Sequence, residues 1–330
     1  MRILICGGAG YIGSHLAKFA AESGHDITVV DNLSTGHAES ITGLPHHTGD
    51  IGDQEFITPL LKSNPYDLIM HFCAFSLVGE SVTDPAAYYQ NNVAQTLNLL
   101  QAMQKTGHNK LVFSSTAAIF GIPEKEKIDE AHPKNPINPY GHTKLMVEQI
   151  LQDYAAAYGL NSVCLRYFNA AGADSSGCIG EKHNPETHLI PNILKSVASG
   201  GTLALKVFGT DYPTPDGSCV RDYIHVNDLA SAHLLAGDYL ENNAGAHAFN
   251  LGIGNGFSVL DVIKAAEKIT GQSIAYEKCE RRPGDPPVLV ADSSRAQDVL
   301  GWKPQYNDIE SIIETAWKWH RDDESFKTWK

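Results

Sequence analysis

The stretch "ILICGGAGYIG", residues 3 to 13, constrains this chain more than any other: an apolar run passes directly into Gly7, Gly10 and Gly13 at the mouth of a helix. Missing side chains let that backbone approach a pyrophosphate, and a helix N-terminus offers it amide hydrogens and a favourable dipole. Glycines alone are weak evidence. The context strengthens them, because the next apolar run, "ITVVD" at 27 to 31, ends in Asp31, whose carboxylate can accept both hydroxyls of an adenosine ribose. Its charge repels a 2′-phosphate, so NAD is expected rather than NADP. Tight turns, with Asp31 as a mere cap, are the competing reading.

The same rhythm recurs at "DLIMH" (67 to 71), "KLVFS" (110 to 114) and "SVCLR" (162 to 166), with helix-like segments between. Such alternation predicts a parallel sheet covered on both faces. The expected fold class is α/β: a Rossmann-type doubly wound parallel sheet with a smaller, irregular α/β C-terminal substrate domain. "GDI" at 49 to 51 ends a further strand and sets Asp50 and Ile51 against the adenine. Phe72 and Cys73 fall at the carboxyl edge of "DLIMH", where such sheets bind ligands.

One helix is expected from Asp84, a cap followed by Pro85, to Gly107, with Val93, Leu97 and Leu100 on one face. Asn91 lies inside it, either exposed or turned to the ligand. A second helix runs from near Pro139 to Gly159. Further on, "NAAGADSSGCIGEKHNPETH" and "GTDYPTPDGSCVRDY" are long and polar, and loops of that length are usually functional. The expected division is a nucleotide-binding domain over 1–167, with later segments able to return to it, and a second part over 168–330.

With 42% hydrophobic and 19% charged residues among 330, the chain can bury a large core. Its formal charge of -13 argues against a nucleic-acid partner, since no basic stripe can displace phosphate counterions. Cys6, Cys73, Cys164, Cys178, Cys219 and Cys279 include no C-x-x-C pair, which suits reduced thiols. His46 with His47, and His183 with His188, match no metal-ligand pattern, so no metal is expected. The first residues suggest neither a secretory signal nor a membrane span, and a cytoplasmic location is expected.

In "NPYGHTKLMVEQ", 138 to 149, Tyr140 stands one helical turn before Lys144. Positions i and i+4 share a face, so the ammonium can lie near the phenol and pull its pKa toward working pH, making a base. A half-buried anchor beside a solvated lysine is the alternative.

With "FSSTAA" at 113 to 118, these residues resemble the extended short-chain dehydrogenase/reductase family. "GYIGSH", "DNLSTG", "VGES", "NNV", "PYGHTKLMVEQIL", "LRYFN", "FGTDYPTPDG", "VRDYIHVNDLA", "FNLG" and "RRPGDPP" extend the likeness across essentially the whole chain. They point to the branch that inverts C4 of a UDP-linked hexose. The resemblance implies a permanently bound NAD held by Gly7, Gly10, Tyr11, Ile12, Gly13, Asp31, Asn32, Asp50, Ile51, Phe72, Cys73, Ala74, Asn91, Ser114, Tyr140, Lys144, Tyr167 and Phe168. Tyr140 would take the proton of the sugar 4-hydroxyl, assisted by Lys144, while Thr116 hydrogen-bonds that hydroxyl. Hydride would leave C4 and return to its other face after the 4-keto sugar turns.

Arg221 and Arg282 would clamp the diphosphate through guanidinium forks, unless they form salt bridges instead. Asn169, His188, Leu189, Val207, Phe208, Tyr223, Asp285 and Leu289 would complete the UDP-sugar site within 168–330, although the apolar ones equally suit a core. The family's usual homodimer packs the helices near 88 to 106 and 140 to 158.

Four positions depart from relatives. Ser76 stands where some bacterial members have a lysine on the cofactor, Phe120 where tyrosine is common, and His188 where some have asparagine. Leu289 replaces a tyrosine that accompanies restriction to plain hexoses, so an N-acetylated sugar is also expected to fit. A 4,6-dehydratase or decarboxylase on the same sheet is the nearby alternative, but Ala117 and Ala118 stand where a dehydratase carries an acidic pair. A non-catalytic NAD sensor would have no use for Tyr140, Lys144 and Thr116.

Overall fold

A computed structural model describes residues 1–201, 204–282 and 285–321; Pro283 and Gly284 of "RRPGDPP", and residues 322–330 of the expected second part, lie outside the described residues. The apolar runs form β1 (Arg2–Cys6), β2 (Asp26–Asp31), β3 (His46–Thr48), β4 (Leu68–His71), β5 (Lys110–Thr116) and β6 (Asn161–Tyr167). Three strands then leave this sheet: β7 (Asn169–Ala171), β8 (Leu205–Phe208) and β9 (Val220–His225). The chain returns with β10 (Ala246–Leu251), which pairs with β6. All seven strands of the main sheet are parallel, in the order β10-β6-β5-β4-β1-β2-β3. This is the doubly wound α/β arrangement, and its order reverses between β1 and β4, opening a crevice at their carboxyl ends.

Strand alternation builds a core on each face. Ile3 and Ile5 pack with Leu16, Ala17 and Ala20 of the helix Tyr11–Glu22, whereas Leu4 and Cys6 pack with Leu99, Leu100 and Met103 on the other side. Smaller strands β11 (Gly256–Ser258), β12 (Tyr276–Cys279) and β13 (Val288–Leu289) complete the remainder: β9 pairs with β7, β11 and β13, and β8 with β12. A separate core joins the helices Leu189–Ala198, Val259–Thr270 and Ile309–Arg321.

The helix Pro139–Tyr158 has the expected ends: Asn138 Oδ1 accepts from the Gly141 amide at 2.8 Å, and Gly159 closes it at φ +70°. The Asp84 segment differs. Asp84 caps it and Gly107 ends it at φ +81°, but a π-helical turn, Tyr89–Ala94, separates Pro85–Tyr88 from Gln95–Thr106. The wider turn shifts the inward face. Asn92, Thr96, Leu99, Leu100 and Met103 are buried, while Val93 and Leu97 are only partly so. Asn92 supplies the reason: its side chain accepts from Phe75 N at 2.9 Å and donates to Phe75 O at 3.0 Å and Thr143 Oγ1 at 3.1 Å. A buried amide needs such partners, and these tie the loop after β4 to the Tyr140 helix.

Candidate active site

A cavity of about 620 Å³ opens at the carboxyl ends of the main sheet, lined by Gly7, Gly10, Tyr11, Ile12, Gly13, Phe72, Ala74, Ser114, Thr116, Tyr140, Lys144, Tyr167, Phe168, Asn169, His188, Leu189 and Tyr223 among others. An adjoining recess shares Gly7, Gly10, Phe72 and Ala74 and adds Asp31, Asn32, Asp50, Ile51, Cys73 and Asn91. The topology therefore gathers every residue expected at the cofactor into one continuous crevice.

The three loop glycines differ in their reasons. A Cβ on Gly7 would come within 2.7 Å of the Cys73 nitrogen, and one on Gly13 within 2.2 Å of the Gly7 carbonyl oxygen. On Gly10 it would meet nothing nearer than that oxygen, at 3.5 Å. Gly7 and Gly13 are thus demanded by the loop's own packing, while Gly10 leaves room for a ligand. The helix it opens has no capping side chain and no acid in its first turn, so its free amides remain available to an anion. Asp31 is held at the recess by the amides of Ala9 and Leu33, at 2.9 and 2.8 Å. An uncapped helix mouth, a glycine with space before it and a fixed carboxylate fit a dinucleotide such as NAD.

Tyr140 and Lys144 project from the first turns of their helix. Lys144 Nζ donates to the Ser114 carbonyl at 2.7 Å and lies 4.7 Å from the Phe113 ring centroid. Burial lowers its pKa to about 7, against the opposing pull of Cys73, Cys164 and Glu148. Burial also raises the Tyr140 phenol, and the Thr116 hydroxyl bonded to it acts in the other direction. This corrects the expectation that Lys144 brings the phenol down. Spacing along a helix registers proximity but not desolvation, and here desolvation is the larger effect. Thr116 Oγ1 accepts from the Ala118 amide at 3.1 Å, which leaves its own proton free for the phenol or a substrate oxygen.

Behind this pair lies an anchor that the sequence did not announce. Glu148, one turn after Lys144, accepts from Arg166 at 2.6 and 2.9 Å and from Ser115 at 2.6 Å, all buried. It locks the Tyr140 helix to β5 and β6. Ser114 Oγ and the Tyr167 hydroxyl are hydrogen-bonded beside it.

Val207, Phe208, Arg221, Arg282, Asp285 and Leu289 do not line this cavity. Arg221 pairs with Asp285 and donates to the Val220 carbonyl at 2.7 Å, so the salt-bridge alternative describes its present contacts. Arg282 sits 4.1 Å over the Phe208 ring. The Val207 side chain is a core residue, 1% exposed. Leu289 and Phe168 both pack against Ala117, Ile119, Phe120 and Ile128, so one cluster connects Leu289 with a cavity residue. Tyr223 links the two groups: it lines the cavity and feels the charges of Arg221 and Asp285.

Sequence reading missed other walls. Leu33 to Gly36 of "DNLSTG" and the following His37 line the cavity, with Leu33 in the left-handed region at φ +58°, and so do Glu80, Glu181 and His183, together with Ser76, which was expected near the cofactor. The motif was visible; its approach to the crevice was not. Tyr11 lines the cavity as expected and donates to the Gly172 carbonyl at 2.6 Å.

Comparison with known proteins agrees with this geometry. The sequence is 51% identical over 323 residues to the UDP-glucose 4-epimerase of Streptococcus mutans, covering 97% of each chain. It is 50% identical over 323 residues to that of Lacticaseibacillus casei, covering 98% of this chain and 97% of the other. The crystal structure of UDP-glucose 4-epimerase from Brucella ovis in complex with NAD superposes with a TM-score of 0.94 at 47% identity, over 97% of this chain and 98% of that one. Residues 3–252 match the family model itself, and the chain belongs to the NAD dependent epimerase/dehydratase family.

Proposed function

We propose that this protein interconverts UDP-galactose and UDP-glucose by inverting C4 of the hexose. One observation carries the reading: Tyr140, Thr116 and Lys144 meet at the carboxyl edge of the parallel sheet, in the cavity that the glycine loop shares. Bound NAD would accept a hydride from C4 and return it, so it need not leave between turnovers. Tyr140 takes the proton of the 4-hydroxyl and gives it back, general base and then general acid. Thr116 donates the hydrogen bond that favours the phenolate, and Lys144, held on the Ser114 carbonyl, donates toward the cofactor in the same small space. Ala117 and Ala118 offer no acid or base with which to eliminate water, so the oxidised sugar is retained.

Inversion requires a loose hold on the hexose and a firm one on the nucleotide. Phe168, Asn169, Leu189 and Tyr223 bound the sugar side, and Arg221, Arg282 and Asp285 supply charge for the diphosphate and ribose. In this reading residues 1–167, with β10, form the NAD-binding domain, and 168–330 mainly the UDP-sugar domain. The chain acts as a homodimer through the helices near 88–106 and 140–158. Among the described residues no helix is long and apolar enough to cross a membrane; with free thiols at its described cysteines, we assign it to the cytoplasm.

The test is direct. Purified protein given UDP-galactose and no added cofactor should form UDP-glucose, and Tyr140→Phe should lower kcat by about 10²- to 10⁴-fold without loss of folding. Undiminished turnover in that variant refutes the mechanism.

A further inference from the structure

After β7 the long polar loop folds back so that Glu181, His183, Glu186 and His188 converge at the cavity rim, with one ligating atom of each within 4.8 Å of the others. From sequence the two histidines were set aside because H-x-x-x-x-H matches no metal motif; the fold adds the two carboxylates. His183 Nδ1 lies 3.2 Å from Glu181 Oε1 and 3.7 Å from Glu186 Oε1. His188 Nδ1 lies 3.8 Å from Glu186 Oε1 and directly against Glu181 Oε1. Nitrogen and oxygen ligands about 2.0–2.2 Å from a tetrahedral zinc ion stand roughly 3.3–3.6 Å from one another, close to three of these four separations.

Two buried atoms distinguish this from a tangle of salt bridges. His183 Nδ1 and Glu186 Oε2 have no hydrogen-bond partner. The Glu186 side chain is 5% exposed; its Oε1 already accepts from the amides of Thr187 and His188 at 2.9 and 3.0 Å, and Lys195 Nζ lies 3.7 Å from Oε2. Buried polar atoms with unspent lone pairs, one on an imidazole and one on a carboxylate of the cluster, are what a cation satisfies. The frame is fixed from outside: the Trp319 indole donates to the Glu181 carbonyl at 3.1 Å, and Tyr11 meets His183 edge-on at 6.2 Å. Two carboxylates with two neutral imidazoles balance a divalent charge.

We propose that Glu181, His183, Glu186 and His188 form a four-ligand site for a divalent transition-metal ion, zinc by its ligand set. Four protein ligands leave no open position, so the ion is structural: it pins the loop to the cavity rim and sets the orientation of His188 on the substrate side.

The full chain, stripped with a chelator, is titrated with zinc chloride by calorimetry, and cobalt(II) absorption then reads the coordination. One equivalent of zinc and a four-coordinate cobalt spectrum are expected, with binding weakened about a hundredfold or more in His183→Ala and in Glu186→Gln, which keeps the side-chain shape. No uptake by the unaltered protein overturns the site, as does a six-coordinate spectrum or unchanged uptake in both variants. A thiolate charge-transfer band would assign the ion to the cysteines and overturn it even if a variant failed to fold. Since no substrate is present, the outcome is independent of the epimerase reading.

Discussion

Lys144, proposed above for the active site, also bears on stability. Its folded pKa of about 7 lies below the ordinary 10.5 because the ammonium is buried. The unfolded chain therefore binds this proton more tightly, and stability contributed by the site rises with pH between those two values. Below pH 7 the burial penalty is present in full. Lys144→Met should accordingly be more stable than the parent near pH 6, with the advantage fading as pH approaches about 10, while turnover falls; urea unfolding across that range checks the sign. Leu289 tests specificity at the same scale. It shares a cluster with the cavity residue Phe168 without lining the cavity itself, and leucine crowds that cluster less than tyrosine would. UDP-N-acetylglucosamine should be a substrate, and Leu289→Tyr should abolish that activity while sparing UDP-glucose; steady-state assays of both sugars decide it.

The glycine loop divides its glycines by purpose at the level of the β1–helix unit. Gly13→Ala should cost about 1–3 kcal/mol, since its new methyl would press on the Gly7 carbonyl. Gly10→Ala should fold with little loss and instead shed its cofactor; melting temperature and NAD content per chain separate the two. This unit was legible in the sequence because everything it needs is local: an apolar run, three glycines and a carboxylate at the end of the next strand. The π-turn was not, because its cause is the long-range contact of Asn92 with Phe75 and Thr143. The same limit hid Glu148, a helix residue whose partners Arg166 and Ser115 lie on β6 and β5. The loop 181–188 is short in sequence, yet its convergence arises from an irregular backbone that periodicity does not describe. Tyr140 and Lys144 were legible as a pair, but their desolvation was not.

At the scale of the molecule, Tyr89, Met146 and Tyr158 remain exposed on the π-turn and on the helix Pro139–Tyr158. A partner copy would cover these large apolar side chains. Met146→Glu should therefore shift the sedimentation mass from dimer to monomer, and an unchanged mass would exclude that helix pair as the interface. The chain's route has a further effect. Because β10 reaches its place beside β6 only after the chain has built β7, β8 and β9, a nascent polypeptide on the ribosome shows a naked β6 edge until residue 251 has emerged. Premature termination before that point would release a sticky intermediate, prone to clumping through unmatched backbone groups.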